Sequence, residues 1–376
     1  MGFITHEGVL VHEAAVFVTH GGYQVIFNTL DKGLAWVKVG DRTYADADNG
    51  NIRSESKVHK IFIPKDVLDD AGEYTIMFRR CIERKPYFAV SGEAFEKTYK
   101  FRPLNKKDDI NIYMLCDTHS RTKEPAESGK YFGDKLDALF LNGDIPTHSG
   151  TEEHIHSIFY ITGEVTKGEA PVIYARGNHD TRGQMAVDLP RYIATHNGNL
   201  YYTFRIGSIW GVVLDAGEDK NDDHPEYGGM AAFDDYRAQQ TKFLQDIIAN
   251  KENEYAADDV KYKICLMHVR IDLHARDEYF AKHYREWLKA LNEIGIDVML
   301  NGHEHRRKFI PGGRETEMGV VEYDTVVGHS FERRDEPERV RNMHGTALNF
   351  KDNKINVIFT DSSFKTLEEY VIDIDK

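Results

Sequence analysis

The chain has 376 residues, of which 41% are hydrophobic, and a formal net charge of −14 at neutral pH. This length predicts two domains with at least one large core. The excess of carboxylates disfavours a general nucleic-acid surface or a surface for anionic membranes. The sequence shows neither a basic segment leading into an apolar one nor a run of about 18 apolar residues, so we expect a cytoplasmic protein with no membrane partner.

The first hundred residues read as an all-β region. Short β-like runs separated by turn residues cover Tyr23 to Thr29, Leu34 to Val39, His59 to Ile63, Glu73 to Arg80 and Phe95 to Phe101. The pattern predicts a small β-sandwich domain over residues 1–104. The stretch from Leu68 to Tyr74 resembles the corner of fibronectin type III-like sandwiches, in which a tyrosine hydroxyl bonds to upstream backbone.

A polar segment, residues 103–109, predicts a link to a second domain over residues 105–376. Beyond it, apolar strands alternate with amphipathic helices, which indicates an α/β domain. The predicted strands are Ile110 to Cys116, Ala138 to Leu141, Val172 to Tyr174, Trp210 to Leu214, Tyr262 to Met267 and Asp297 to Leu300. The predicted helices are Glu152 to Thr162, Gln239 to Ala249 and Tyr284 to Ile294.

Five of these strands are followed directly by aspartate, asparagine or histidine. The motifs are Asp117-Thr118-His119, Asn142-Gly143-Asp144, Gly177-Asn178-His179-Asp180, His268, and Gly302-His303-Glu304-His305. Ligands bind at the carboxyl ends of strands in α/β sheets, so these side chains are predicted to converge in one crevice.

Two further expectations concern local geometry. Residues i and i+2 of an extended segment point the same way, so Asp117 with His119, and His303 with His305, should each face one site. Gly143 and Gly302 should allow close approach of the backbone.

The residue types also predict a metal centre. Imidazoles and carboxylates without thiolates suit Zn, Mn, Fe or similar ions, and there are more ligands than one catalytic ion with an open position requires. We therefore expect two divalent metal ions, whose identity stays open.

The ordered motifs Asp-x-His, Gly-Asp, Gly-Asn-His-Asp/Glu, His and Gly-His-x-His resemble the calcineurin-like metallophosphoesterase family, over residues 117 to 305. The resemblance implies a four-layer αββα catalytic domain that hydrolyses a small phosphomonoester or phosphodiester. The reaction would use a dinuclear metal centre and a metal-bridging hydroxide. The alternative on the same fold is a catalytically silent, metal-stabilised binding or scaffold protein.

The resemblance also implies roles for individual residues. Asp117, His119 and His305 would hold the first metal, Asn178, His268 and His303 the second, and Asp144 would bridge both. His179 would act beside the leaving oxygen as a proton donor or charge stabiliser. Asp180 is also expected to be a catalytic residue, which would either orient His179 or cap the following turn.

Two departures narrow the resemblance. Protein serine/threonine phosphatases carry an Asp-Arg pair three residues after the bridging aspartate, whereas Asp144 is followed by Ile145-Pro146-Thr147-His148. Purple acid phosphatases also have a β-sandwich ahead of the catalytic domain, but they use Asp-x-Gly and a metal-binding tyrosine. This chain has His119 instead of that glycine, so no tyrosinate-iron centre is expected.

Substrate-binding candidates lie beside the ligands. Arg182 and Arg270 could clamp a phosphate oxygen or form ordinary salt bridges, and for Arg306 the salt bridge is the preferred interpretation. His148 could line the rim of the pocket. A polar loop from Ala216 to Met230 is expected to border the substrate.

Overall fold

The computed structural model describes residues 8–103, 105–331 and 342–374. Residue 104, where the first predicted domain ends, lies outside them. The described elements before it are β1 (Ala15–Thr19), β2 (Gly22–Val39), β3 (Arg42–Ala45), β4 (Ala47–Asp48), β5 (Asn51–Ile52), β6 (Ser56–Pro64), α1 (Lys65–Ala71), β7 (Glu73–Glu83) and β8 (Val90–Lys100). Two of the predicted runs, Tyr23 to Thr29 and Leu34 to Val39, belong to the single strand β2. They were predicted as separate strands because the pairing register of β2 shifts between Asn28 and Gly33, which interrupts the alternation of its side chains.

The described elements after residue 104 are β9 (Ile110–Leu115), α2 (Lys123–Gly129), β10 (Ala138–Asn142), α3 (Glu152–Thr166), β11 (Pro171–Ala175), β12 (Tyr202–Ile206), β13 (Ile209–Val213), α4 (Phe233–Ala249), β14 (Tyr262–Leu266), α5 (Glu278–Ile294), β15 (Val298–Asn301), β16 (Lys308–Ile310), β17 (Arg314–Thr316), β18 (Gly319–Val321), β19 (Asp324–Val327), β20 (His344–Lys351), β21 (Lys354–Asp361) and β22 (Thr366–Asp373). From β9 to β15 the described elements largely alternate between strands and helices, as predicted, and seven further strands follow that the sequence pattern did not predict. Short 3₁₀ turns cover Gly133–Lys135, His179–Thr181, Leu189–Arg191, Pro225–Tyr227 and Lys251–Asn253.

The three long helices, α3, α4 and α5, begin where side chains accept from their first N–H groups. The Thr151 side chain accepts from the backbone N–H of His154 at the start of α3, and Asp277 accepts from Tyr279 at the start of α5. The start of α4 is capped from a distance, since the Asp222 carboxylate accepts the N–H groups of Phe233 and Asp234. Because that cap lies eleven residues upstream of Phe233, the sequence pattern placed the start of α4 too late.

Two sheets face each other across the main core. The described strands of the first sheet run in the order β22-β21-β20-β9-β10-β11-β1-β2-β7-β8, with β3 and β6 also paired to β2. Those of the second run β12-β13-β14-β15-β19-β16. Along β13, Ile209 and Val213 face the core between the sheets, whereas Trp210 and Val212 pack with α4 and α5. Helices α2 and α3 pack on the outer face of the first sheet. The predicted αββα layering is confirmed.

The region before residue 104 consists mainly of strands, as predicted, with the short helix α1 between β6 and β7, but it differs from the expectation of a separate sandwich. Strand β1 pairs in parallel with β11, with Phe17 opposite Val172, so these strands belong to the first sheet. Such pairing joins residues about 155 apart in the chain, which no local pattern reveals. The division of the chain at residue 104 stays a prediction.

The resemblance of Leu68 to Tyr74 to a fibronectin-like corner is wrong. The Tyr74 hydroxyl donates to the carbonyl of Gly168, 2.8 Å away, in the segment that leads into β11. This bond ties β7 to the segment before β11 rather than to its own upstream backbone.

No described helix is both long enough and apolar enough to cross a membrane.

Candidate metal centre

The predicted metal ligands lie in the loops that follow β9, β10, β11, β14 and β15. Five of them have left-handed backbone conformations, with φ of 53° at Asp117, 46° at His119, 55° at Asp144, 70° at His303 and 51° at His305. The expectation that these residues continue extended strands is therefore wrong, although they do face one site. Non-glycine residues in this region each cost about 1–3 kcal/mol, and they cluster at functional sites.

Hydrogen bonds between the loops hold this backbone in place. The N–H of Asp117 donates to Gly143, and the N–H of His119 donates to Asp144, both at 3.0 Å. The N–H of His303 donates to the Asp117 carboxylate at 3.0 Å. Each ligand loop is thereby fixed by another ligand loop.

Asp117, His119 and His305 form the first ligand group. Their ligand atoms lie within 4.8 Å of one another. The Nε2 atoms of His119 and His305 are 3.2 Å apart, and that of His305 is 3.4 Å from the Asp117 carboxylate. The structure therefore brings these three predicted ligands together.

Asp144, His268 and His303 form the second group, within the same 4.8 Å limit. His268 Nε2 lies 3.3 Å from the Asp144 carboxylate, and Asn178 Oδ1 lies 3.1 Å from His303 Nδ1. Asp144 also groups with His119. This carboxylate is thus within reach of ligands from both groups.

His268 is oriented for coordination by the backbone. Its Nδ1 donates to the carbonyl of Asn142 at 2.6 Å, which leaves Nε2 buried without a hydrogen-bond partner. That atom faces Asp144 and, at 3.7 Å, Asp117. A hydrogen bond that fixes the tautomer and orientation of a histidine in this way is typical of metal ligands.

Three glycines make room for the ligands. A Cβ at Gly143 or Gly302 would clash with the His268 ring, and one at Gly177 would clash with the Asp144 carboxylate. The expected close approach of Gly143 and Gly302 is confirmed. Gly177 has the same function but was not singled out from the sequence.

The electrostatics of the centre fit divalent cations. Burial raises the pKa of Asp117, whereas His268, His179 and His119 outweigh burial and lower the pKa of Asp144. Burial opposes protonation of His268, but Asp144 and Asp117 raise its pKa to about 10. Within the described part of the chain, neither carboxylate is paired with a lysine or arginine. Buried carboxylates without such a partner suit bound cations.

His179 lies at the edge of this centre. Its Nδ1 donates to the carbonyl of Thr147 at 2.9 Å, and its Nε2 is 4.0 Å from the Asp144 carboxylate. About a third of its side chain is exposed. Nε2 therefore faces the centre, and the hydrogen bond to Thr147 fixes the other side of the ring.

Asp180 lies beneath the centre and is fully buried. Its carboxylate accepts from the N–H groups of Gly177 and Asp144 and from the Tyr174 hydroxyl, at 2.6, 3.1 and 3.1 Å. Burial and the nearby Asp144 raise its pKa to about 7. The carboxylate contacts these three groups rather than the His179 ring, which favours a positioning role over a catalytic one.

The arginines proposed as phosphate clamps have carboxylate partners. The Arg182 guanidinium makes two 2.8 Å bonds to Glu218 and also lies 3.4 Å from Asp219 and from Glu226. Arg270 pairs with Asp272 and Glu304, both at 3.1 Å. These contacts favour the salt-bridge interpretation, which was also the preferred one for the exposed Arg306.

His148 is partly exposed near the centre. Its Nδ1 accepts from the N–H of Gly150 at 3.0 Å, and its ring lies 4.2 Å from that of His154. A place at the rim of the pocket is consistent with these contacts, and a role in substrate binding stays a prediction.

Sequence reasoning missed Glu218, a buried residue of the predicted Ala216 to Met230 loop. Besides Arg182, its carboxylate accepts from the hydroxyls of Thr181 and Tyr227, at 2.8 and 3.0 Å. Thr181 belongs to the 3₁₀ turn that begins with His179. The signal was only an acidic residue in a polar loop, and polar loops are usually solvated.

Comparisons with known proteins agree with this geometry. The sequence profile described as calcineurin-like phosphoesterase matches residues 110–307. The structure of a purple acid phosphatase, PPD1, from yellow lupin (Lupinus luteus) seeds is similar with a TM-score of 0.61 and 12% identity, over 97% of this chain and 75% of that one. PhoD is similar with a TM-score of 0.58 and 10% identity, over 98% and 91% of the two chains.

At these identities, the two structures establish a shared fold. No curated protein sequence matches the chain. The profile covers more than half of the chain and includes all seven predicted ligands. The chain therefore belongs to the calcineurin-like phosphoesterase family.

Proposed function

We propose that the chain hydrolyses small phosphate esters with two divalent metal ions. The single observation that carries this proposal is the pair of ligand groups around one shared carboxylate. Asp117, His119 and His305 would hold one ion, and Asn178, His268 and His303 the other, with Asp144 between them. When bound, the ions would neutralise charge on the phosphoryl oxygens and lower the pKa of coordinated water.

The chain's own residues would prepare the reaction by fixing this geometry. The left-handed loops and the three glycines place buried oxygen and nitrogen atoms around a small volume. Because hydrogen bonds between the loops set these positions before a substrate arrives, little reorganisation would accompany the reaction.

His179 is the proposed proton donor to the leaving oxygen. With Nδ1 donating to Thr147, the imidazolium form carries its second proton on Nε2, which faces the centre. Loss of that proton leaves the Nδ1 hydrogen bond intact. The ring can therefore transfer a proton without changing its orientation.

Glu218 is proposed to position His179. It binds Thr181 and Arg182, the residues that follow the His179-Asp180 pair, and joins them to the Ala216 to Met230 loop. The backbone around it is held by the buried Arg237, whose guanidinium donates to the carbonyls of Ala216 and Glu218. This network would keep Nε2 of His179 within reach of the substrate.

Recognition of the phosphate would depend mainly on the centre itself. Arg182 and Arg270 are engaged by carboxylates, so either one would have to break an ion pair to reach a phosphate oxygen. Both monoesters and diesters fit this arrangement, and Mn, Fe and Zn all suit the ligand types. The cytoplasmic location expected from the sequence stays a prediction.

The test is release of nitrophenol from nitrophenyl phosphate and from bis-nitrophenyl phosphate, after the protein is loaded separately with Mn²⁺, Fe²⁺ or Zn²⁺. We expect hydrolysis of at least one ester with at least one ion. Binding of two ions per chain without hydrolysis of either ester would favour the silent scaffold alternative.

A further inference from the structure

A two-stranded ribbon projects from the first sheet, and we call residues 81–91 the arm. Strand β7 pairs with β2 only as far as Arg80, which lies opposite Gly33. Beyond that point β7 pairs only with β8, through Cys81 with Ser91 and Glu83 with Val90. Because β8 is the last described strand of the sheet, no other described strand lies beside the arm.

The end of the arm is apolar and exposed. Phe88 is 94% exposed, Tyr87 81% and Ile82 57%. Phe88 also has a left-handed backbone, with φ of 57°. A bulky residue rarely adopts this conformation, and here no burial within the chain compensates for it. Isolated two-stranded ribbons have only marginal stability in water, so exposed apolar side chains at the end of this ribbon carry a cost in stability.

Basic side chains lie in the same turn and at the base of the arm. Arg84 and Lys85 are exposed, and Arg79 and Arg80 follow at the base. Acidic side chains partly balance them, since Glu83 lies 2.8 Å from Lys85, Asp31 lies 3.6 Å from Arg80, and Glu55 lies 3.9 Å from the Cys81 thiol. Residues 81–91 nevertheless carry one net positive charge, from Arg84 and Lys85 against Glu83, on a chain whose formal net charge is −14.

We propose that the arm docks the protein onto an anionic lipid bilayer, with Tyr87 and Phe88 in the interfacial layer and Arg84 and Lys85 at the headgroup phosphates. Aromatic rings prefer the membrane interface, and clustered basic residues are attracted to anionic lipids. The pairing of Glu83 with Val90 places these four side chains in one turn at the end of the arm, so the aromatic rings and the basic groups can reach the membrane interface together.

The length of the arm reduces the electrostatic repulsion between the acidic remainder of the protein and an anionic membrane. The three residues of β7 beyond Arg80 extend about 10 Å at about 3.3 Å per residue, and the turn that carries Tyr87 and Phe88 lies farther out. The Debye length is about 8 Å at physiological ionic strength, so repulsion between the body and the lipids is largely screened at that distance. The expectation of no membrane partner came from net charge and spanning segments, which do not detect such a local feature.

A bilayer fits the arm better than a protein partner does. Large aromatic side chains bury about 150–250 Å² each, so the few exposed side chains of the arm offer only several hundred Å². A stable protein interface needs about 800 Å² from each partner. Insertion into lipid has no such threshold.

The test is co-sedimentation of the full, metal-loaded chain with vesicles of phosphatidylcholine, with or without phosphatidylserine. We expect at least tenfold stronger binding to the anionic vesicles, weakened by salt. The double variant Y87S/F88S should lose binding to both kinds of vesicle. The variant R84Q/K85Q should lose only the preference for phosphatidylserine, since each basic residue contributes roughly fivefold to partitioning.

V187S is the matched control, because Val187 is 85% exposed but lies outside the arm. It should bind as the unmodified chain does. The proposal is overturned if the unmodified chain stays in solution with both vesicles, or if Y87S/F88S sediments equally well. It is also overturned if ultracentrifugation shows that Phe88 mediates self-association while vesicles are not bound. Hydrolysis of nitrophenyl esters plays no part in these outcomes, so the test is independent of the proposed reaction.

Discussion

The charged side chains of the metal centre differ from those at its rim in whether they have oppositely charged partners. At the centre, the buried Asp117 and Asp144 lack a lysine or arginine partner among the described residues, and His268 Nε2 has no hydrogen-bond partner. At the rim, Arg182 and Arg270 are each paired with carboxylates. Buried carboxylates that no lysine or arginine of the described chain neutralises mark the place where cations would bind, whereas paired charges hold the surrounding structure.

The largest effect is expected at the shared carboxylate. D144N removes a charge that both ligand groups use, so turnover should fall by roughly 10³-fold or more, and metal content should fall with it. Mass spectrometry for metals and nitrophenol release measure the two effects. D134N is the matched control, because Asp134 also follows a glycine but is exposed and should tolerate the change. Full activity of D144N in metal-replete buffer would contradict the bridging role.

Replacement of His179 should separate chemistry from metal binding. H179N removes the proposed proton donor but no ligand, so we expect the rate to fall by roughly 10²- to 10⁴-fold with two ions still bound. The loss should be smaller for esters with better leaving groups, which need less protonation. If rate and metal content fall together, His179 is a ligand instead.

A smaller effect is expected at the rim. E218Q keeps the shape of Glu218 but weakens its bonds to Arg182 and Thr181, so kcat should fall by roughly tenfold to a hundredfold through misplacement of His179. KM and metal content should change little. E218D should be less active than the unmodified chain, because the aspartate side chain is shorter and its carboxylate reaches less far. E226Q is the control, since Glu226 also approaches Arg182 but is more than 40% exposed. Equal losses in E218Q and E226Q would indicate a general charge effect.

The least effect on the reaction is expected at Asp297, at the opposite end of β15 from the metal ligands. Burial raises the pKa of Asp297 to about 6 from an ordinary value of 3.8. The folded state therefore holds this proton more tightly, and its stability falls as pH rises from about 4 to 6. D297N should remove that fall and stabilise the chain above pH 6 by up to about 3 kcal/mol. Urea unfolding of both metal-free proteins across this range measures it, and a pH-independent difference would refute it.

The sequence predicted which side chains come together at the centre better than the backbone geometry that presents them. Asp117, Asp144, His268 and the others follow apolar strands in a recognisable order, and both features are local. The left-handed loops were missed because the conformation of Asp117 or His303 depends on hydrogen bonds to distant loops. Glu218 was missed for the same reason, since its partners Thr181 and Arg182 lie 37 and 36 residues away.

The fold, like the metal centre, was predicted only in part. Strands such as β9 and β14 followed from periodicity and the layering from the family resemblance, whereas the capping of α4 by Asp222 and the pairing of β1 with β11 depend on contacts that only the folded chain makes. The prediction of a fibronectin-like corner failed because the local pattern around Tyr74 does not specify the acceptor of its hydroxyl.

The pairing of β1 with β11 has a consequence for any shortened form of this protein. Strand β11 ends just before Arg176, Gly177 and the proposed ligand Asn178, and β1 supplies its neighbour on one side. A chain that starts at residue 105 would leave a row of unpaired amides and apolar side chains along that strand, an arrangement prone to aggregate. Loss of activity after such a truncation would report damage to the metal centre and could not be read as evidence that the removed residues bind substrate.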